Sequence, residues 1–169
     1  MSEPKKVTIY TRGVSSTSGS GGYAVILIYN GRRKELVGGS PASSNNRMDI
    51  LAAIEGMKAL KQPCSVTLYN NNTYLIDAIV KGWAVKWRDR GWTNSEKKPT
   101  PHADLWEQLL ALCSVHEVSF VYRKLDGHDR ELARCDVLAH NGAESFEIAQ
   151  ARTPDPAPQR TESSEVRSG

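Results

Sequence analysis

The stretch 7-VTIYTRGVSSTSGSGGYAVILIYNGRRKELV-37 decides how the rest of the chain is read. Residues 7–12 are dominated by β-branched and aromatic side chains and predict a strand. The small-residue loop TRGVSSTSGSGG leads to a second strand over 23–29, and the glycine-containing YNGRR leads to a third over 33–38. Short turns between successive strands make an antiparallel meander. Arg12 stands at the end of the first strand with Gly13 behind it. A permanent positive charge therefore sits where a site would ordinarily be built.

Beyond the meander the hydrophobic period changes. The turn cluster SPASSNN leads into RMDILAAIEGMKALK, where Ile50, Ala53, Ile54, Met57 and Leu60 recur at helical spacing. Asn46 is placed to cap this helix, with Asp49 three residues on in the capping-box position. PCSVTLYN predicts a fourth strand. A helix over 73–81 follows, then a short one in GWAVKWRDRGW. HADLWEQLLALCSVH is amphipathic, with Leu105, Leu109, Leu110 and Cys113 on one side. EVSFVYRKL predicts a fifth strand and RELARCDVLAHNGAESF a last helix. Strands four and five are each reached through a helix, so each should lie parallel to a neighbour. The expectation is a mixed α/β domain over residues 1–150. Residues 151–169, rich in Pro, Ser, Thr and balanced charge, read as a disordered tail.

The 169 residues suffice for one domain with a core. No apolar run is long enough for a membrane span, and no secretory leader is visible at the N-terminus. Cys64, Cys113 and Cys135 have no metal-like spacing and read as reduced thiols of an intracellular, cytoplasmic protein. The net charge of +3 is uneven: residues 81–98 carry six basic and two acidic side chains, a local +4. Such a cluster points to an anionic partner.

The strings VTIYT, GSGGYAVIL, NNRMDILAAIEGMKALK, VTLYNNNTYL, KGWAVKWRDRGW, KKPTPHADLWEQL and ARCDVLA resemble, in this order, type 1 ribonuclease H. The resemblance covers about residues 5–145. It implies a ribonuclease H-like mixed five-stranded sheet, three antiparallel then two parallel strands, flanked by helices. It also implies a site in which carboxylates hold two Mg²⁺ ions about 4 Å apart on the phosphate of an RNA–DNA hybrid. The family places an Asp at the end of strand one, a Glu in the first helix, an Asp after strand four and an Asp in the last helix. A histidine lies in the loop after strand five. Here those positions read Arg12, Asp49, Asn71, Asp136 and, for the histidine, Asp126, with His128 two residues further on. Two carboxylates remain where four are needed. A cation about 4 Å from Arg12 would meet repulsion of roughly 4 kcal/mol at an effective dielectric of 20. Arginine cannot relieve this by losing a proton. Arg12 is thus expected to take the place of the metals and neutralise Asp49 and Asp136. No metal is expected; any that bound would fall to those two carboxylates.

The parts that face nucleic acid in this family are better kept. Ser44, Asn45 and Asn46 resemble the segment that reaches the minor groove of a hybrid. Trp83, Lys86, Trp87, Arg88 and Arg90 resemble its basic protrusion, where aromatic faces and cations suit a sugar–phosphate backbone. The loop after strand one lacks the family's Asn-Pro-Gly-Pro pattern. Three readings stand. The favoured one is a catalytically inactive module that binds RNA–DNA hybrid or double-stranded RNA. The second is a hybrid ribonuclease with rearranged ligands, using Mg²⁺ or Mn²⁺ on Asp49, Asp136, Asp126 and Asp129. The third is a structural subunit that binds a protein partner through the former catalytic face. None involves a membrane.

Overall fold

The computed structural model of the protein describes residues 3–41 and 43–152. The five strands are β1 (Lys5–Ser15), β2 (Gly21–Tyr29), β3 (Arg32–Ser40), β4 (Cys64–Asn70) and β5 (Glu117–Tyr122). The helices are α1 (Asn45–Lys58), α2 (Thr73–Val80), α3 (Trp83–Asp89), α4 (Ala103–Val115) and α5 (Arg130–Arg152). The strands form one sheet in the order β3-β2-β1-β4-β5, with β1–β3 antiparallel and β4 and β5 added in parallel. This is the expected ribonuclease H-like sheet. The hairpin between β2 and β3 turns on Asn30 and Gly31, both at positive φ (51° and 80°), the backbone that a two-residue turn requires.

Alternation along the strands separates two cores. Ile9, Val25, Leu68, Ile54, Leu75, Trp106 and Leu109 belong to the larger one, which α1, α2 and α4 cover. Val14, Ala24 and Ile26 meet Cys135, Leu138, Ala139 and Ala143 of α5 on the other side. The sheet end at which β1 and β4 finish is thereby bracketed by the start of α1 and by α5.

Three expectations are corrected at element ends. The cap of α1 is Ser44, whose hydroxyl accepts the Arg47 N–H at 3.2 Å. Asn46 lies within the helix, and Asp49 has turned inward instead of closing a capping box. The last helix runs to Arg152, past the expected boundary at 150; the tail expected beyond it lies outside the described residues. Among the described residues no helix is long and apolar enough to cross a membrane, and the three cysteines are free thiols.

Trp83 and Trp87 give part of their surface to packing within the protein. Both are half-buried against the larger core. The Trp87 ring centroid lies 6.3 Å from Tyr74 and 5.9 Å from Trp106, and Tyr74 lies 5.8 Å from Trp106. This cluster seats α3 on α2 and α4. Trp87→Ala should therefore cost about 2 kcal/mol of stability, less than for a fully buried ring. A urea melt without nucleic acid checks this; an unchanged midpoint would return Trp87 to the binding surface.

Candidate functional site

Arg12 leaves β1 toward α5. Its Nε donates to Asp136 Oδ1 at 2.8 Å, and its Nη1 donates to the Gly13 carbonyl at 2.9 Å. Nη1 also lies 3.8 Å from Asp49 Oδ2. Asp49 and Asp136 are thus brought together around one guanidinium. Planarity and permanent charge suit arginine to this position between two acids.

Asp49 is 1% exposed, and its oxygens are occupied from the protein side. Oδ1 accepts the Gly13 N–H at 2.7 Å and Asn70 Nδ2 at 3.0 Å; Oδ2 accepts Asn72 Nδ2 at 2.8 Å. Burial pushes its carboxyl pKa upward, against the opposing pull of Asn70, Asn72, Arg12 and the Gly13 N–H. Asn70 also donates to the Thr11 carbonyl and hydroxyl, and Asn72 caps α2 through the Tyr74 N–H. Asn70 and Asn72 were not singled out from the sequence. The triple-Asn run was their only signal, and by itself it reads as turn chemistry. Asn71 lies between them, its Oδ1 buried with no partner among the described residues.

The other candidate carboxylates are used elsewhere. Asp126 is exposed and accepts the His128 N–H at 3.0 Å, a bond that holds its pKa low and closes its own loop. Asp129 caps α5 through the N–H groups of Glu131 and Leu132 and pairs with Arg123 at 2.7 Å. Asp129 is thereby engaged in capping and in an ion pair, whereas Asp126 keeps Oδ2 open to solvent on its loop. His140, one turn after Asp136, places Nδ1 3.7 Å from Asp136 Oδ2 and was not anticipated. His116 and His102, for which the sequence suggested no partners, meet the Cys64 N–H and Arg47.

A pair of Mg²⁺ ions needs several anionic oxygens free to turn toward it. Here one neutral amide oxygen, two engaged carboxylates and a cation occupy the place. Among the described residues no group of three or more His, Cys, Asp or Glu could hold a metal. This donor set does not fit the pair of ions.

The surface beside this cleft keeps its donors. Ser44 and Asn45 are exposed and Asn46 is half-buried. Asn45 Oδ1 accepts from the Ser15 N–H, and Asn46 Oδ1 accepts from Asn72, so each amide NH₂ is left to donate outward. On α3 and the turn after it, Lys86, Arg88 and Arg90 are exposed; Arg88 has Asp89 at 3.5 Å.

A chain with this sheet, these crossovers, and Asp49 of α1 and Asp136 of α5 brought together at the end of β1 falls in the ribonuclease H-like class. The sequence model of the RNase H family matches residues 4–144. Ribonuclease H of Rippkaea orientalis is 53% identical over 137 residues, covering 80% of this chain and 84% of that protein. Ribonuclease H of Syntrophus aciditrophicus is 49% identical over 140 residues, covering 82% and 81%. Among solved structures, LC9-RNase H1, described as a type 1 RNase H with the type 2 active-site motif, superposes with a TM-score of 0.75 at 21% identity. That match covers 95% of this chain and 92% of that one. LC11-RNase H1, solved in complex with an RNA/DNA hybrid, gives a TM-score of 0.65 at 16% identity, covering 83% and 99%. The protein belongs to the RNase H family.

Proposed function

We propose that the chain binds RNA–DNA hybrid without cutting it. The observation that supports this is the Arg12 guanidinium holding Asp136 and facing Asp49, while the donors of Ser44, Asn45 and Asn46 and the cations of Lys86, Arg88 and Arg90 stay open. Relatives named ribonuclease H make the hybrid the first ligand to test. Arg12 and Asn71 stand where the resemblance expects carboxylates, which supports binding without cleavage. Amide, hydroxyl and ammonium contacts need no metal, so binding should survive EDTA. Double-stranded RNA shares the wide minor groove with its 2′-OH groups and is the second ligand.

The test is fluorescence anisotropy with hybrid, double-stranded RNA and double-stranded DNA in EDTA, beside a cleavage assay in Mg²⁺ and in Mn²⁺. Hybrid should bind and remain whole. Concentration-dependent cleavage that disappears in Asp136→Asn would establish the enzyme reading instead. Absence of binding to every duplex would leave the face to a protein partner. Replacing Lys86, Arg88 and Arg90 together by Ala should weaken hybrid binding and flatten the log–log salt slope, by about 0.7–0.9 for each phosphate no longer neutralised. Equal affinity of the triple variant would remove the protrusion from the interface.

A further inference from the structure

The exchange at residue 12 brings in a donor as well as blocking cations. Arginine carries five N–H donors on three nitrogens. Nε is committed to Asp136, and Nη1 to the Gly13 carbonyl and toward Asp49. Nη2 makes no hydrogen bond among the described residues, and it is not one of their buried unpaired atoms, so it is open to solvent. The side chain as a whole is 17% exposed. Its guanidinium is therefore fixed along two edges and open along the third.

The guanidinium is linked to the donors of α1 through Asp49. Asn72 Nδ2 bonds both Asn46 Oδ1 and Asp49 Oδ2, so the segment Ser44–Asn46 is joined to Arg12 through one amide and one carboxylate. The acids beside Arg12 are already engaged: Asp49 is buried with its oxygens occupied, and Asp136 is paired with Arg12. A guanidinium held from behind by acids loses little freedom when it meets a phosphate.

We propose that Arg12 is a phosphate ligand, its Nη2 edge gripping one phosphodiester of the bound duplex, so that the former cleft for cations is a site for the anion itself. This rests on the reading above that the chain binds hybrid. It adds a contact inside the cleft to those of α1 and the protrusion.

The experiment is a thermodynamic cycle between residue 12 and single phosphates. Hybrids carrying one neutral methylphosphonate linkage, stepped along either strand, are titrated against the parent and Arg12→Gln by anisotropy in EDTA. The parent should lose about tenfold in affinity at one linkage or two adjacent ones, the size of a charge-assisted contact. Arg12→Gln should lose a similar factor on unmodified hybrid and show no further loss at those linkages. Arg12→Gln with Asp136→Asn removes the carboxylate left uncovered and should keep the same insensitivity. Arg12→Lys keeps the charge without the fork and should lie between parent and Gln. It serves in place of Arg12→Gln if thermal melting shows that variant unfolded. Strictly additive effects at every linkage, with the parent binding hybrid normally, would overturn this inference and leave the proposed function intact. A parent that binds no hybrid would overturn both.

Discussion

Arg12→Asp combined with Asn71→Asp should give a protein that binds divalent ions where the parent does not. Across residues 12, 49, 71 and 136 the parent carries +1, −1, 0 and −1, a sum of −1; the double variant carries −4. Four close carboxylates repel one another, and a divalent ion relieves that repulsion. Affinity should still be weak, for two reasons in the site. Asp49 is shorter by one methylene, about 1.5 Å, than the Glu of the family. Its Oδ2 is also held by Asn72 at 2.8 Å. Mn²⁺ should bind better than Mg²⁺, which demands near-ideal octahedral geometry. Asn72→Ser, added as a third change, keeps an N-cap for α2 and frees Oδ2, so it should raise Mn²⁺ affinity several-fold. At an ion concentration ten times Kd, the variant should gain about 1.4 kcal/mol of stability. Calorimetry and thermal melts with and without Mn²⁺ read both quantities. Tight binding of two Mg²⁺ ions by the parent would refute the role of Arg12 as the substitute for the metals.

Much of this was legible along the chain because the signals are local. The β-branched and aromatic runs over 7–12 and 23–29, the Asn30-Gly31 turn and the helical recurrence from Ile50 to Met57 each depend on neighbours in sequence, and each element is present, although α1 ends at Lys58 and leaves Leu60 beyond it. Parallel placement of β4 and β5 followed from the helices that lead to them. The pairing of Arg12 with Asp136 spans 124 residues and came from family resemblance alone. Less was legible where several residues could do the same local task. Ser44, Asn45 and Asn46 are all competent caps, and only the fold shows that Asn46 turns to Asn72 while Ser44 caps the helix. Asp126, Asp129 and His128 lie together in sequence, yet turn geometry and the start of α5 divide their side chains. Trp106, a core residue of α4 with 0% exposure, was missed. The Leu105–Leu109 spacing fixed the buried side without showing how far around the helix it extends.

Gly13→Ala should be among the most damaging single substitutions in the chain, although it adds one methyl group. A Cβ at Gly13 would collide with the Asp49 nitrogen and the Met48 carbonyl carbon. Both are backbone atoms of α1, so no side-chain rotation relieves the contact. Either β1 or the start of α1 must move, and the Gly13 N–H bond to Asp49 Oδ1 at 2.7 Å moves with it. Overpacking against side chains costs roughly 1–3 kcal/mol, and contact with backbone should reach or exceed the top of that range. Loss of that bond would leave a buried carboxylate short of a donor, adding about 1–3 kcal/mol. Gly31→Ala is the comparison: its Cβ meets nothing within 4 Å, and its φ of 80° alone should cost about 1–2 kcal/mol. Urea melts should therefore place Gly13→Ala well below Gly31→Ala. Hybrid affinity should fall in the first variant and stay at the parent's value in the second, because only Gly13 sets the distance between Arg12 and Asp49. Equal midpoints for the two would mean that β1 and α1 are not held at the spacing on which the Arg12 site depends.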